Sequence, residues 1–386
     1  MTQPGNFSET NAATLVRWEF TDSDDPDFDL GYSFSQPAIV KMNNGTWAAV
    51  FGNGYNNTAA DGYASLTGRA ALYIVDLQTG ALIKKIDTKY GSSTTPNGLA
   101  TPKVVDLDGN GTVDVAYAGD LAGNLWKFDL SDNNPVQWDS AYATGSTPDP
   151  LFVAKDSSGN RQPITSTPDI VAHPSGASYG YMVLFGTGKY LETTDPADTS
   201  SQTFYGIQDN GATVAGRSVL VAQTVTATPT VNGETYRALS SNTVDWAGGV
   251  DHGWYLDLPV SKERVVSASI TNTGRVIFTT VIPTTGSCST AGTGWLMVLD
   301  LSTGGALVNP TFDVNGINGI DANDNLGTPG MYASGVALDG MPGAVGAQSG
   351  DGSLNINFNK TNQTTPVVKK ILLPKTGRTS WREITQ

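Results

Sequence analysis

"ALYIVDLQTG", residues 71–80, is a run of aliphatic and aromatic residues that ends in Asp-Leu and a Thr-Gly turn, and "GWLMVLDLSTGG", residues 294–305, has the same form. Each run alternates outward and inward side chains, as a half-buried strand should, and then gives a turn signal. Five further runs share this pattern: "LVRWEFTD" (15–22), "NLWKFDLSD" (124–132), "TFYGIQDNG" (203–211), "GWYLDLP" (253–259) and "SLNINFNK" (353–360). The seven runs therefore predict a repeated β unit.

Second strand-like runs lie before several of these strands, such as "KVVDLDG" with "DVAYAGD" and "DIVAH" with "YMVLFGTG". Units of three or four strands at a spacing of roughly 40 to 80 residues are typical of propeller blades. The stretch "NPVQWDSAYATGSTPDPLFVAKDSSGNRQPIT" (134–165) breaks the spacing and predicts an insertion or an irregular blade. We therefore predict an all-β fold, a modified seven-bladed β-propeller with irregular insertions, for which a β-sandwich pair is the alternative.

The predicted domain organisation is a single propeller over residues 1–386, with a ring at about 15–360 and termini at 1–14 and 361–386. The strand near Leu15 precedes any complete blade. We expect it to join the last blade and close the ring, which would remove an exposed sheet edge.

Composition excludes several classes of partner. The chain of 386 residues carries a net charge of −14, which argues against nucleic acid and anionic lipid because both need a basic face. No apolar run approaches the roughly 20 residues of a membrane helix. The polar start "MTQPGNFSET" does not read as a signal peptide, so we expect a cytoplasmic protein or a domain cut from a longer exported one. Cys288 is the single cysteine, which excludes an internal disulfide and argues against a cysteine-based zinc site.

The stretch "DLDGNGTVD" at 106–114 has the spacing of a calcium loop. Oxygen-bearing residues occupy alternate positions, and the candidate ligands are Asp106, Asp108, Asn110, Thr112 through its backbone carbonyl, and Asp114. Gly111 holds the sixth position, where such a loop turns sharply. Its three carboxylates would repel one another without a cation, so the sequence predicts Ca²⁺ here. A polar hairpin turn is the alternative.

The loop departs from the helix–loop–helix form of calcium site. That form carries a bidentate Glu at position 12, where this chain has Tyr117 within a strand-like run. We therefore expect a short calcium loop between two strands of one blade, with Asp114 completing the ligand shell.

A second stretch, "DVNGINGIDANDN" (313–325), matches the calcium pattern only in part. Asp313, Asn315 and Asp321 fall at positions 1, 3 and 9, but position 5 is Ile317, which has no side-chain oxygen. The sequence leaves three alternatives open: a degenerate metal site, a shifted register that uses Asn323, Asp324 or Asn325, and a plain polar turn.

Catalytic motifs are lacking in the sequence. Neither of the two histidines, His173 and His252, stands in a pattern with a nucleophile, and nucleophile-elbow, phosphate-loop and zinc-helix motifs are absent. The strand ends "DLQTG" and "DLSTG" are similar to those of quinone-cofactor dehydrogenase propellers, a class often marked by a vicinal cysteine pair that this chain does not have. We predict no enzymatic activity, no catalytic residues and no organic cofactor. A diverged periplasmic quinone-dependent dehydrogenase is the alternative, which cofactor absorbance and dye-linked alcohol oxidation would reveal.

Several stretches together carry a family resemblance: "TPKVVDLDGNGTVDVAYAGDLAGNLWKFDL", "RQPITSTPDIVAH", "VLFGTGKYL", "FYGIQD", and "GWLMVLDLSTGG" followed by "FDVNGINGID". The chain resembles the C-terminal domain of PilY-type proteins, the type IV pilus biogenesis factors and tip-associated adhesins of Gram-negative bacteria. The resemblance runs from about residue 15 to 360 and is most specific around the 106–114 loop.

This resemblance implies a quinoprotein-dehydrogenase-like propeller without catalysis, in which a calcium loop helps govern pilus extension against retraction, twitching motility and surface adhesion. It implies the same ligands, Asp106, Asp108, Asn110, Thr112 and Asp114. The implied partners are pilin or minor pilins, with a host or abiotic surface as a further target and without nucleic acid or membrane insertion. The implied location is the pilus tip or outer cell surface, reached by export through the periplasm.

The chain departs from the family pattern at two further points. The larger N-terminal region of the family, often with a von Willebrand-type fold, is missing, so we expect an excised C-terminal domain. The integrin-binding tripeptide Arg-Gly-Asp of some relatives is also absent, and the corresponding stretch reads "YAGDLAGN" (117–124).

Overall fold

The computed structural model of this chain consists of β-strands joined by tight turns, which confirms the predicted all-β class. It describes residues 9–11, 15–32, 34–59, 63–284, 292–317, 319–350, 353–363 and 365–372, so Cys288 lies outside the described residues. The helical segments with described bounds are 3₁₀ helices of three residues: Glu9–Asn11, Asp22–Asp24, Pro135–Gln137, Ala177–Tyr179, Asp195–Ala197 and Arg217–Val219. No helix in the described ranges combines the length and the apolar character that a membrane crossing demands.

The chain divides into two compact units. Unit 1 comprises Met1–Ile170 and Gly211–Ala215, and unit 2 comprises Val171–Asn210 and Gly216–Gln386. The single domain over 1–386 and the count of seven blades stay predictions.

The first strands in chain order are β1 (Ala38–Lys41), β2 (Trp47–Gly52), β3 (Arg69–Asp76), β4 (Leu82–Gly91), β5 (Lys103–Val105), β6 (Val115–Gly119), β7 (Asn124–Asp129), β8 (Asp139–Ser140), β9 (Ala143–Thr144), β10 (Thr147–Pro148), β11 (Phe152–Val153) and β12 (Asp169–Ala172). In unit 1, β1 to β4 form a sheet in sequential antiparallel order. A second sheet has the order β11-β7-β6-β5, with β8 also paired to β7. Such up-and-down sheets are the building unit of propellers.

The remaining strands are β13 (Tyr181–Gly186), β14 (Thr203–Asp209), β15 (Val221–Gln223), β16 (Val225–Ala227), β17 (Thr230–Val231), β18 (Glu234–Leu239), β19 (Gly253–Asp257), β20 (Ile270–Asn272), β21 (Arg275–Pro283), β22 (Gly292–Asp300), β23 (Gly335–Leu338), β24 (Gly346–Gly350), β25 (Ser353–Phe358) and β26 (Val367–Leu372). In unit 2, β13, β14 and β19 are antiparallel neighbours, and β15 adds in parallel to β19. One larger sheet runs β16-β18-β23-β22-β21-β20, and a third runs β24-β25-β26.

Six of the seven runs that predicted strands are confirmed, as β3, β7, β14, β19, β22 and β25. The seventh prediction, a ring-closing strand near Leu15, is wrong, because residues 16–20 pair with no strand. Their aromatic side chains pack instead. Trp18 donates from Nε1 to the Leu77 carbonyl at 2.9 Å, and the Phe20 ring meets the Tyr73 ring edge-on at 5.6 Å. Side-chain docking onto the β3 sheet thus replaces backbone pairing.

The expected alternation of buried and exposed side chains is also wrong for the central strands. In β3, Leu72 and Ile74 enter one hydrophobic cluster, while Ala71 and Tyr73 enter another on the opposite face. In unit 2, β22 divides its residues between two clusters in the same way. Both faces of these strands are covered, so apolar residues occupy consecutive positions in the middle of each strand.

The predicted irregularity at 134–165 is confirmed, because these residues hold one 3₁₀ helix and the two-residue strands β8 to β11, of which β8 and β11 pair with β7. At the other end of the chain, β26 lies inside the segment 361–386 that was predicted as a terminus. It pairs with β25 along its length, and its alternating sequence buries Ile371 completely.

Candidate metal centre

The 106–114 loop connects β5 to β6, adjacent antiparallel strands with Val105 paired to Val115. The Asp114 amide donates to the Val105 carbonyl at 3.0 Å and closes the loop at the end of the ladder. Gly109 and Gly111 have φ angles of +76° and +87°, in the left-handed region that favours glycine. A Cβ would meet nothing within 4 Å at either position, so the backbone conformation, and not lack of space, demands glycine here.

Three carboxylates of this loop converge. One ligand oxygen from each of Asp106, Asp108 and Asp114 lies within 4.8 Å of the others, the one such group of acidic, histidine or cysteine side chains among the described residues. Oxygens on opposite sides of a calcium ion, each at 2.3–2.6 Å from it, are about 5 Å apart. Asp106 is half-buried, Asp108 is exposed and Asp114 is 8% exposed, so a cation could enter from solvent on the side of Asp108. The donor set is therefore hard, anionic and spaced for calcium.

Backbone amides orient the first carboxylate. Asp106 accepts hydrogen bonds from the amides of Gly109 at 2.7 Å, Asn110 at 3.2 Å and Gly111 at 2.7 Å. These bonds, led by that of Gly111, hold the pKa of Asp106 below its ordinary value. The loop thus favours the charged form of this candidate ligand.

Asn110 and Thr112 lie beside the carboxylates, but they face each other. The Asn110 side-chain oxygen accepts from the Thr112 amide at 2.7 Å, and its Nδ2 donates to Asp108 at 3.0 Å. Asn110 would therefore have to turn its amide to ligate a metal, whereas the carboxylates already converge.

One contributor to this site was missed in the sequence. Asn43, in the turn between β1 and β2, accepts a hydrogen bond from the Thr112 hydroxyl at 2.7 Å and donates to Asp114 Oδ1 at 3.3 Å. Its local sequence "KMNNGTW" reads as an ordinary Asn-Gly turn, and no spacing rule connects it to a loop about seventy residues later.

The second loop, 313–325, is organised around Asp324, a residue that only the shifted-register alternative named. Asp324 is fully buried and accepts from the amides of Val314 at 2.7 Å, Asn315 at 3.0 Å and Asp321 at 2.7 Å. Asp313 instead accepts from the Gly316 amide within its own turn. In the part of the chain that the structure describes, neither Asp313 nor Asp321 joins a convergent acidic group. The metal role of Asp313, Asn315 and Asp321 stays a prediction.

The two histidines have structural surroundings. His173 is 3% exposed, its ring stacks on Tyr179 at 5.2 Å between centroids, and the Trp246 ring meets it edge-on at 4.4 Å. Its Nδ1 accepts from the Ser175 amide at 3.1 Å, which places the proton of the neutral ring on Nε2. His252 contacts Gln208 through Nδ1 at 3.3 Å.

The burial of His173 predicts that the folded chain loses stability in acid. Burial lowers its pKa, so the unfolded chain takes up the proton first as the pH falls below about 6.5. The stability that this group contributes is present above the unfolded pKa and is lost as the pH falls through the folded pKa. We expect the urea midpoint of the wild type to drop more between pH 7 and pH 5 than that of His173→Phe, which keeps the stacking. Parallel pH profiles for the two proteins would contradict this.

The stretch "YAGDLAGN" that corresponds to the adhesive tripeptide of some relatives lies in the interior. Asp120 is fully buried in the turn between β6 and β7, and burial raises its pKa against the effect of its hydrogen bonds. It accepts from Asn97, Trp126, and both the amide and the side chain of Asn124, each at 2.8 Å. This carboxylate is part of the scaffold and is out of reach of a receptor.

Sequential antiparallel sheets and an acidic loop between two paired strands define a propeller-type domain with a candidate divalent-cation site. The family model described as the PilY1 beta-propeller domain matches residues 10–232. The chain belongs to the PilY1 family, as the resemblance in its sequence indicated.

Known relatives agree with this assignment. A type IV pilus biogenesis factor PilY1 homolog of Xylella fastidiosa is 40% identical over 322 residues, which cover 79% of this chain and 21% of that protein. The type IV pilus biogenesis factor PilY1 of Pseudomonas aeruginosa is 34% identical over 424 residues, covering 100% of this chain and 34% of that protein. This chain thus spans between a fifth and about a third of the length of these relatives.

The fold agrees as well. The crystal structure of the Pseudomonas aeruginosa PilY1 C-terminal domain matches with a TM-score of 0.75 and 31% identity, over 93% of this chain and 74% of that one. The predicted propeller class is confirmed by this match and by the family model.

Proposed function

We propose that this domain is the calcium-binding propeller of a type IV pilus biogenesis factor, and that it works by binding and not by catalysis. The observation that carries the proposal is the convergence of Asp106, Asp108 and Asp114 within 4.8 Å on one loop. Family membership supports the pilus role, because the relatives are named as type IV pilus biogenesis factors.

The loop offers calcium five protein oxygens. Asp106, Asp108 and Asp114 supply carboxylates, Asn110 a side-chain carbonyl after rotation, and Thr112 a backbone carbonyl. Water would complete a shell of six to eight oxygens. The charge balance favours a divalent ion, because three carboxylates at this distance repel one another until a cation lies between them. Magnesium suits the loop less, since it requires a compact octahedral shell and gives up its water reluctantly.

Calcium would act on the pilus by favouring one conformation of the loop. A ligand shifts an equilibrium only by the difference between its affinities for the two states, so a partner that contacts the ordered loop would bind more tightly when calcium is present. The proposed partners are pilin or minor pilins, and the proposed setting is the pilus tip or outer cell surface, with a host or abiotic surface as a further target. The output would be a bias between pilus extension and retraction, and so in twitching motility and adhesion.

Isothermal calorimetry of the purified chain tests the metal site. We expect one calcium per chain in the wild type and in Asp313→Ala, because Asp313 bonds within its own turn. Asp108→Ala and Asp114→Ala should lose binding. Asp108 is exposed, so that variant retains the fold even if Asp114→Ala does not. Loss of a full equivalent in Asp313→Ala would move the site to the second loop, and no heat of binding in the wild type would refute the proposal.

The pilus role is tested in bacteria that carry the full-length protein. Asp108→Ala should disturb twitching while the amount of exported protein stays the same, whereas Asp313→Ala should behave as wild type. If a strain with Asp108→Ala twitches normally although its protein has lost calcium binding, then calcium binding by this loop is not needed for motility.

A further inference from the structure

Asn43 joins three segments of unit 1 at the back of the acidic loop. It lies in the turn that connects β1 to β2, and its Nδ2 donates to the carbonyls of Val113 at 2.8 Å and Leu130 at 3.1 Å. The same nitrogen reaches Asp114 Oδ1 at 3.3 Å, while its Oδ1 accepts from the Thr112 hydroxyl at 2.7 Å. One side chain therefore contacts three successive residues at the end of the loop.

The contacts demand an amide side chain. One end of Asn43 faces acceptors, the carbonyls of Val113 and Leu130, and the other end faces the hydroxyl of Thr112. An aspartate at this position would place an oxygen against those carbonyls, where two acceptors repel each other. An asparagine with its amide group in the reversed orientation would do the same. Alanine would remove the donor to those carbonyls and the acceptor that Asn43 offers to the Thr112 hydroxyl.

The two ends of the loop differ in how firmly they are held. Asp114 has both carboxylate oxygens engaged, Oδ1 by Asn43 and Oδ2 by the Leu107 amide at 2.7 Å, and its backbone carbonyl accepts from Leu130 at 2.8 Å. Asp106 is half-buried and Asp108 is exposed, and both carboxylates accept hydrogen bonds from amides of the loop itself. The 112–114 end is thus fixed to residues outside the loop, whereas the carboxylates of Asp106 and Asp108 are oriented by amides of the loop.

We infer that Asn43 is a positioning residue for calcium: it holds Asp114 and Thr112 in place, so that the ion meets two of its five proposed protein ligands already positioned. This inference rests on the proposed calcium site. A hydrogen-bonding partner that orients a metal ligand typically contributes 10–100-fold to metal affinity, because the ligand no longer has to be ordered when the ion binds.

Through the same contacts, calcium binding would stabilise the β1–β2 turn, although this turn supplies no proposed ligand. Within that turn the Met42 amide donates to the Thr46 carbonyl at 2.8 Å and the Gly45 amide to the Met42 carbonyl at 2.9 Å. Met42 also forms an isolated parallel β-bridge with Val113. An ion that fixes Asp114 should therefore stabilise residues 42–46 through Asn43.

Calorimetry with calcium chloride on the intact chain tests the inference. Asn43→Ala should raise the calcium Kd by 10–100-fold and leave the stoichiometry at one. The matched control is Asn44→Ala in the same turn, whose side-chain oxygen accepts from the Thr46 amide at 3.0 Å. It removes a hydrogen bond within the turn and should leave the Kd within about twofold, because a change of a few tenths of a kcal/mol shifts affinity no further.

A second variant allows the same test if Asn43→Ala does not fold. Thr112→Val deletes the hydroxyl that bonds Asn43 and keeps the backbone carbonyl, so it should weaken calcium binding several-fold. In the double variant the two losses should be less than additive, since each single variant already removes the hydrogen bond between Thr112 and Asn43. Hydrogen exchange gives an independent readout: calcium should slow amide exchange in 42–46 in the wild type and in Asn44→Ala, but only in 106–114 in Asn43→Ala.

The outcomes separate the two claims. If the wild type takes up no calcium, the proposed site and this inference both fail. If the wild type, Asn43→Ala and Thr112→Val bind calcium with equal Kd, the site stands and the positioning role of Asn43 is overturned. Equal losses of affinity in Asn43→Ala and Asn44→Ala would also overturn it, because the integrity of the turn alone would then explain them.

Discussion

Calcium should raise the melting temperature of this chain, and the rise should disappear in Asp108→Ala. Ligand oxygens of three carboxylates lie within 4.8 Å of one another, and their mutual repulsion destabilises the folded loop until a cation lies between them. An ion that binds only the folded state adds RT ln(1 + [L]/Kd), which is about 2.7 kcal/mol at a hundredfold excess over Kd. For a cooperative unit of 150–250 residues this amounts to roughly 5 to 10 °C.

Differential scanning calorimetry with a chelator, with calcium and with magnesium measures the effect. Magnesium should give a smaller rise than calcium at equal concentration. Asp108→Ala removes a ligand together with one repelling charge, so its chelated form should melt no lower than the chelated wild type. Asp114→Ala is a poorer probe, because it also leaves the Leu107 amide without its acceptor. If the chelated and the calcium-loaded wild type have the same melting temperature, the loop is an acidic turn without a metal-binding role.

Features that depend on local spacing could be predicted from the sequence. The Asp-Leu-x-Thr-Gly ends of β3 and β22 form the same turn, in which Asp76 and Asp300 each accept from the amide and the hydroxyl of the Thr three residues later. The acidic loop is local in the same sense, because alternate oxygens over nine residues suffice to bring its carboxylates together.

Features that depend on distant contacts could not be predicted. The segment with Trp18 and Phe20 has the pattern of a strand, and only the presence of Leu77 and Tyr73 beside it explains why it docks through side chains. Asn43 reaches the 106–114 loop because the fold brings the β1–β2 turn next to the end of that loop. In the second loop, the spacing rule selected Asp313 and Asp321, whereas the carboxylate that holds the loop together is Asp324, a residue whose importance lies in its burial.

Asp120→Ala should be among the most destabilising single substitutions in unit 1. The carboxylate is fully buried and accepts four hydrogen bonds, from Asn97, Trp126 and two groups of Asn124. A buried donor that loses its acceptor costs about 1–3 kcal/mol, and the alanine would strand several donors in a pocket that water enters poorly. We expect a loss of about 4 kcal/mol or more in the free energy of unfolding, at the upper end for a point mutation.

Two matched variants separate this cause from the loss of charge. Asp129→Ala, at the exposed end of β7, removes a carboxylate that accepts from the amide and hydroxyl of Ser131, and it should cost no more than about 0.5 kcal/mol. Asp120→Asn removes the buried charge but retains one oxygen, which can still face the three donors that meet Oδ2, so its loss should be intermediate. Urea unfolding of the chelated chain measures all three. If Asp120→Ala unfolds at the same urea concentration as Asp129→Ala, the interior network does not hold the β6–β7 turn, and the scaffold role inferred for the Asp120 carboxylate is overturned.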